Sequence, residues 1–287
     1  MTFEKVPSEF KSVLGEIRWH DALYKFLQSI YRLYPEDRFH ALIKTATQEF
    51  DTDEAIYRNV QRQLPSIKPF HADLTYALPS LFKQKNEMAR QTLNLLGTKR
   101  SLDGYAEIGS TGRYVSELRK HIDVSGAVVL VNDVAPSNSA VDIMERGGLR
   151  KIGAFNPLSN YAPLNLADGS FDLVTCYIGL HHIPLDRLDP FINSFVRALK
   201  PGGLFILRDH DVVSTEMNTF VSLIHTIFNA GLGVPWEANQ AELRFFRPVA
   251  QWEERLQTHG LQTLGKRLLQ SHDPSDNMLM AFVKGLT

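Results

Sequence analysis

The stretch Ala106-Glu-Ile-Gly-Ser-Thr-Gly-Arg-Tyr114 decides the fold. Residues 105–109 are a short, largely apolar run, Gly109 and Gly112 stand three apart, and Val115, Leu118 and Ile122 then recur at helical spacing. That order reads as strand, glycine turn and helix. Downstream, Ala127-Val-Val-Leu-Val-Asn-Asp133 has the continuous hydrophobicity of a buried strand and ends in a carboxylate. A Pro/Ser/Asn stretch at 135–139 then opens a helix carrying Val141, Ile143 and Met144. Residues 151–155 make a weaker third strand and Phe171-Asp-Leu-Val-Thr-Cys-Tyr177 a strong fourth. A helix over 191–199 leads through Lys200-Pro-Gly-Gly203 into a fifth strand at 204–208. Strands alternating with helices imply an α/β fold, doubly wound around a mainly parallel sheet.

Upstream of residue 100 the period changes. Trp19, Leu23, Phe26, Leu27, Ile30, Leu33 and Tyr34 form a three-and-four stripe that Pro35 ends. Phe39, Leu42, Ile43, Ala46 and Phe50 form a second stripe. Asp51 with Glu54 three residues later opens a third helix through Ile56, Tyr57, Val60 and Leu64, which Pro65 and Pro69 break. A fourth helix runs from about Ser80 to Gly97. The expectation is a packed helical bundle. Its aromatic and histidine residues (Trp19, His20, Tyr24, Tyr31, Tyr34, His40, Tyr57, Phe70, His71, Tyr76) read singly as core or surface positions, with a substrate pocket as the alternative. Beyond the fifth strand, Phe220, Leu223, Ile224, Ile227 and Phe228 mark an apolar helix, and Gly231-Leu-Gly-Val-Pro235 a flexible stretch. Trp252 and Leu256 mark a further helix, and 261–270 with 278–283 a hairpin. Arg244 and Arg247 read as surface ion-pair partners, with an anionic substrate as the alternative.

The chain has 287 residues, 44% hydrophobic and 22% charged, the composition of an ordinary globular protein able to bury a large core. Thirty-one Lys and Arg against 32 Asp and Glu leave a net charge of -1, so no global field attracts nucleic acid or an anionic membrane. The single cysteine, Cys176, excludes an internal disulfide framework and any multi-cysteine metal site. With no signal-peptide core at the start and apolar runs too short to span a bilayer, the expectation is a soluble, cytoplasmic protein without membrane insertion.

In a doubly wound sheet, ligands bind outside the carboxyl ends of the strands near the switch point between the two windings. That rule selects residues 107–112, Asp133, residues 177–183 and residues 208–211. A glycine turn lets a ligand approach the backbone, and a carboxylate ending the second strand can grip both hydroxyls of a ribose, so a nucleoside-containing cofactor is expected. The chain lacks the fuller G-x-G-x-x-G of dinucleotide folds. Glu107 would repel a pyrophosphate but can hold an amino-acid ammonium group, directly or through water.

Over about 104–287 the chain resembles the class I S-adenosylmethionine-dependent methyltransferases, especially the small-molecule enzymes of the ubiquinone/menaquinone and type 11 groups. The motifs that carry the resemblance are residues 106–114, Val131-Asn-Asp133, residues 168–183 and residues 199–207. It implies a Rossmann-like, mainly parallel seven-stranded sheet with an antiparallel C-terminal strand, and a division into an N-terminal helical cap (1–100) and an S-adenosylmethionine-binding domain (101–287). The cap is expected to cover the cofactor cleft and shape the acceptor pocket. By resemblance, Glu107, Gly109, Ser110 and Gly112 surround the methionine part of S-adenosyl-L-methionine and Asp133 holds its ribose. Tyr177 and Ile178 lie beside the methionine end, and Asn160 or Asn156 stands near the adenine. The turn carries two glycines where the family pattern has three.

Methyl transfer is a displacement at a sulfonium, so the protein must align the nucleophile and, for a hydroxyl or carbon acid, remove its proton. The candidates are His181 and His182 after the fourth strand and Asp209, His210 and Asp211 after the fifth, with His210 between two aspartates the less generic base. Cys176, inside a strand, reads as a small buried apolar residue, and no metal is expected. The Asn/Asp-Pro-Pro-aromatic tetrapeptide of many nucleic-acid methyltransferases is absent after the fourth strand. The leading expectation is therefore methyl transfer to O, N or C of a small-molecule acceptor. The alternatives are a protein or RNA methyltransferase that docks through the helical region, and a scaffold that keeps the fold without turnover.

Overall fold

Helices α1 (Glu9–Gly15), α2 (Ile17–Ser29), α3 (Glu36–Glu49), α4 (Asp53–Ile67) and α5 (Leu78–Leu96) precede the first strand in the computed structural model, which describes residues 8–69, 76 and 78–286. Then follow β1 (Ser101–Ile108), α6 (Arg113–Leu118), β2 (Asp123–Asn132), α7 (Ala140–Arg146), β3 (Ala154–Pro157), β4 (Phe171–Cys176), α8 (Leu185–Ala198) and β5 (Leu199–His210). The chain ends with α9 (Thr215–Gly231), α10 (Trp236–Ala241), α11 (Val249–Thr258), β6 (Leu261–Leu269) and β7 (Asn277–Lys284). Phe70, His71 and the side chain of Val141 lie outside the described residues. Among those residues no helix is long and apolar enough to cross a membrane.

Two compact units result. The sheet unit comprises Lys83–His210, Arg247–Gln270 and the chain from Asn277 on; the helical unit comprises the chain through Phe82 together with Asp211–Phe246 and Ser271–Asp276. The division by contact therefore does not follow a single cut at residue 100. Helix α9 joins the N-terminal helices because its apolar face, Phe220, Val221, Leu223, Ile224 and Ile227, is buried in one core with Trp19, Leu23, Ile43 and Tyr57. Each such side chain gives about 1.5–3 kcal/mol on burial. Two local expectations shift by one step. Thr52, rather than Asp51, caps α4 by accepting the Ala55 N–H at 3.2 Å, and Pro65 falls inside the last turn of α4, where the loss of one intrahelical bond is tolerated.

The sheet has the order β3-β2-β1-β4-β5-β7-β6. The first five strands in that order pair parallel, and β7 runs antiparallel to both β5 and β6. Alternation sorts the side chains to two faces. Ala106, Ile108, Val174, Cys176, Phe205 and Leu207 pack with Phe191, Phe195, Trp252 and Leu256 of α8 and α11. Tyr105, Leu173, Tyr177, Ile206 and Leu279 pack with Met88, Leu95, Tyr114, Val115 and Leu118 of α5 and α6. The chain reverses its winding at β1 and β4, which pair Ile108 with Cys176. Strand β5 extends past the expected Arg208 because β7 pairs with it out to His210 opposite Asn277.

Candidate active site

At the switch point, β1 ends in the turn Gly109-Ser-Thr-Gly112. Gly109 has φ +84 and Gly112 φ +103, both in the left-handed region open to glycine. The turn packs on the end of β4, since a Cβ on Gly109 would lie 2.4 Å from Cγ2 of Ile178. The start of α6 is held from inside the turn. Ser110 Oγ accepts the N–H groups of Gly112 (3.2 Å) and Arg113 (3.0 Å). Glu107, fully buried, accepts those of Tyr114 (3.2 Å) and Val115 (2.7 Å).

Tyr105, two residues before Glu107 on the same face, donates its hydroxyl to Glu107 at 3.1 Å and lies 2.7 Å from Thr175 Oγ1. Burial raises the Glu107 carboxyl above the usual range, although hydrogen bonds from Ser110, Tyr114, Val115 and Tyr105 pull it down. Both Glu107 oxygens thus serve the protein's own donors. Tyr177 is buried beside this network, its hydroxyl 2.7 Å from Thr92 Oγ1 and its ring 4.4 Å from that of Tyr114. Arg113 pairs with Glu145, whose other oxygen accepts from Thr111 at 3.5 Å, so the cation beside the turn is neutralised and tied to α7.

Asp133, one residue past β2, is exposed, and its carboxylate makes no hydrogen bond or ion pair among the described residues. Asn160 is exposed in a left-handed turn at φ 52, and its carbonyl accepts from Arg187 at 2.6 Å. Asn156 spends its amide on the Asn165 carbonyl at 2.9 Å.

Of the catalytic candidates, four meet in the sheet unit. Asp209, fully buried near the end of β5, accepts the Leu180 N–H at 2.8 Å, faces His181 Nδ1 at 2.7 Å and accepts the His210 N–H at 2.8 Å. The His181 ring packs at a tilt against His182, centroids 4.1 Å apart, and lies 5.7 Å from His210. His210 Nε2 is 3.3 Å from Asn277 Nδ2. The aspartate thus meets the His181 ring at hydrogen-bond distance and accepts the backbone N–H of His210, whose imidazole also acts on the carboxyl through its charge. Asp211 belongs to the helical unit, where its N–H donates to the Asp276 carbonyl at 3.0 Å. Cys176 is buried, with its thiol pushed up to about 12 by burial, as expected of an inert core residue.

A family model of a methyltransferase domain matches residues 106–207, which hold the glycine turn, Asp133 and the His181–His182 loop. Residues 106–207 thus resemble a methyltransferase domain. A CurJ carbon methyltransferase structure shares the fold at 15% identity, over 93% of this chain and 70% of that one, with a TM-score of 0.51. The 1,6-didemethyltoxoflavin-N1-methyltransferase of Burkholderia thailandensis, solved with 1,6-didemethyltoxoflavin and S-adenosylhomocysteine, is similar at 14% identity over 72% of this chain and 79% of that one, TM-score 0.46. Phosphoethanolamine N-methyltransferase 2 of Haemonchus contortus, in complex with S-adenosyl-L-methionine, is similar at 16% identity over 75% and 59%, TM-score 0.46. No curated protein matches the chain significantly.

Several residues that pack around this candidate site left little mark in the sequence. Tyr105 and Thr175 were discoverable, because they share a sheet face with Glu107 and Tyr177 at two-residue spacing. Thr92, Glu145 and Asn277 arrive from remote segments and left no local signal. Arg244, in the helical unit, takes the ion-pair reading. Its guanidinium bonds Glu242, Asn239, Ser222 and Thr226 beside a cavity of about 620 Å3. Arg247 instead stacks on Trp252 at 4.4 Å from the ring centre.

Proposed function

We propose that the chain is an S-adenosylmethionine-dependent methyltransferase acting on a small-molecule acceptor. The observation that carries the reading is the uncommitted carboxylate of Asp133 at the end of β2, beside the Gly109–Gly112 turn at the switch point. The donor set fits a sulfonium nucleoside. Asp133 offers an acceptor pair for a ribose diol, Ile178 gives an apolar wall against the turn, and Arg113 is neutralised by Glu145 and so does not repel a cation. Glu107 is a positioning residue that holds the turn and α6 in place through the Tyr114 and Val115 amides. When bound, the cofactor supplies an electrophilic methyl group on positive sulfur, and the protein's task is alignment of the acceptor and disposal of its proton.

A small molecule is favoured over a nucleic acid by the near-zero net charge and by Tyr177-Ile-Gly-Leu180 standing where base-modifying enzymes carry their Pro-Pro tetrapeptide. Calorimetric titration tests the reading. S-adenosylmethionine and S-adenosylhomocysteine both bind the folded chain, and Asp133→Ala weakens both by about 1–3 kcal/mol through the lost hydrogen bonds. A folded chain that takes up neither at millimolar concentration would sink it.

A further inference from the structure

We propose that Arg146 is a positioning residue for S-adenosylmethionine: it fixes the loop that carries Asp133 and, with Glu145 beside it, ties that loop to the Gly109–Gly112 turn. The inference rests on the methyl-transfer reading above. It starts from burial, since Arg146, the last residue of α7, is only 2% exposed. A guanidinium cation taken out of water is costly unless its N–H groups meet acceptors. Here they meet four. Nη1 donates to the Ser137 carbonyl at 2.6 Å and Nη2 to Asn138 Oδ1 at 3.1 Å, both ahead of α7. Nη2 also donates to the Leu149 carbonyl at 3.0 Å and Nε to that of Gly148 at 2.9 Å, both beyond it. One side chain thus fastens the stretch that enters α7 to the stretch that leaves it. The planar fork suits this task, because it aims its donors along fixed lines where an ammonium is only a point charge.

Residues 133–139 form the connection between β2 and α7. Asp133 is exposed, so the backbone on either side of it sets where its carboxylate stands. On the near side, Asn132 Nδ2 donates to the Val134 carbonyl at 3.1 Å, and the Asn132 carbonyl accepts the Leu158 N–H at 3.0 Å. On the far side, Ser137 is held twice, its carbonyl by Arg146 and its N–H by Asp142 Oδ2 at 2.6 Å. Burial opposes ionisation of Asp142, but the Ser137 hydrogen bonds and the charge of Arg146 outweigh it and hold the carboxyl below its usual range. A carboxylate whose flanking chain is already fixed takes up a diol without the entropy loss of ordering a loop.

The preceding residue completes the link. Glu145 pairs with Arg113 of α6 and accepts from Thr111 at 3.5 Å. Its carbonyl accepts from Nζ of Lys85 on α5, a side chain only 1% exposed. The end of α7 therefore grips the glycine turn through residue 145 and the Asp133 loop through residue 146. Adjacent residues hold the two parts of the cofactor site, and so set the distance between them.

Calorimetric titration of full-length variants with S-adenosylmethionine and S-adenosylhomocysteine measures the effect. Arg146→Met is expected to bind both about tenfold more weakly, the scale on which neighbouring residues couple. Arg146→Lys is expected to do no better, because it restores the charge but not the fork. The double variant Asp133→Ala/Arg146→Met is expected to bind much as Asp133→Ala does, since Arg146 acts through that carboxylate; a merely structural residue would add its own loss. Hydrogen exchange in the unliganded chain supplies the second arm. Amides 134–139 are expected to exchange roughly tenfold faster in Arg146→Met while those of β4 and β5 keep their rates. If Arg146→Met fails to fold by circular dichroism, Asn138→Ala and Asp142→Ala decide, because each cuts one bond of the same clamp. Each is expected to weaken binding by a smaller factor that vanishes in the Asp133→Ala background, and full affinity in both overturns the assignment. So do full affinity in a folded Arg146→Met, unchanged exchange over 134–139, or losses that add in the double variant. Failure of the wild type to bind either compound would instead fell the methyl-transfer reading, and the exchange rates then judge the clamp by itself.

Discussion

Two buried carboxyls on this sheet, Glu107 and Asp209, do different work because their partners differ. Glu107 faces only donors: two helix amides, the Tyr105 hydroxyl and Ser110. Glu107→Gln keeps the shape but turns one oxygen into an N–H group aimed at other N–H groups. The variant is expected to lose about 1–3 kcal/mol of stability in urea denaturation, and an unchanged midpoint would remove Glu107 from the support of the turn. Asp209 carries a pH signature. Its folded pKa is raised from 3.8 to about 6 by burial, so its contribution to stability is complete below the unfolded value and is lost as pH rises through the folded one. Wild type and Asp209→Asn are compared by urea denaturation between pH 3.5 and 7. Across that window the stability difference is expected to move toward the variant by on the order of 3 kcal/mol. A difference independent of pH would mean that Asp209 ionises normally.

Helix α6 is too short to be stable alone, and its first amides are satisfied by side chains of the preceding strand and turn rather than by its own N-cap, Gly112. Ser110 and Thr111 stand in the part of the turn where the three-glycine pattern has its middle glycine. Ser110 fastens the helix start, and Thr111 reaches Glu145, the partner of Arg113. Ser110→Ala is therefore expected to cost about 1 kcal/mol, as other lost caps do. It should also weaken S-adenosylmethionine binding in calorimetry; full affinity would show that the turn holds its shape without the hydroxyl. The strands were legible because runs such as Val128 to Val131 and Phe171 to Cys176 have a composition that buried parallel strands need. The last residues of β5 were not, since Arg208-Asp-His reads as loop until β7 pairs with it. For the same reason Asp209 looked like the partner of its neighbour His210. The ring at hydrogen-bond distance from its carboxylate, that of His181, is 28 residues away and is brought in by the β4–β5 pairing. Local spacing could nominate both residues but could not join them.

Across the whole molecule, the helical unit draws on separate stretches of the chain. The N-terminal stripes were readable as amphipathic helices, yet their apolar faces are completed by α9, which follows β5 in sequence. Trp19 stacks on Phe220 at 5.1 Å, and Tyr34, Tyr57 and Gln61 donate to the carbonyls of Gly231 and Val234, at and just beyond the end of α9, at 2.9, 2.7 and 2.7 Å. These phenols are structural: they satisfy backbone acceptors that the end of a helix leaves open. A fragment of residues 1–100 would expose the faces that α9 covers, including Trp19, Leu23 and Tyr57, and leave those hydroxyls without their carbonyl partners. The helical unit is thus expected to need residues 211–246. The 1–100 fragment should show no cooperative thermal transition by circular dichroism and should bind a hydrophobic dye, while the full chain unfolds cooperatively. Cooperative unfolding of the fragment at a temperature near that of the full chain would show that α9 is dispensable to the helical core, and that the division at residue 100 is the physical one.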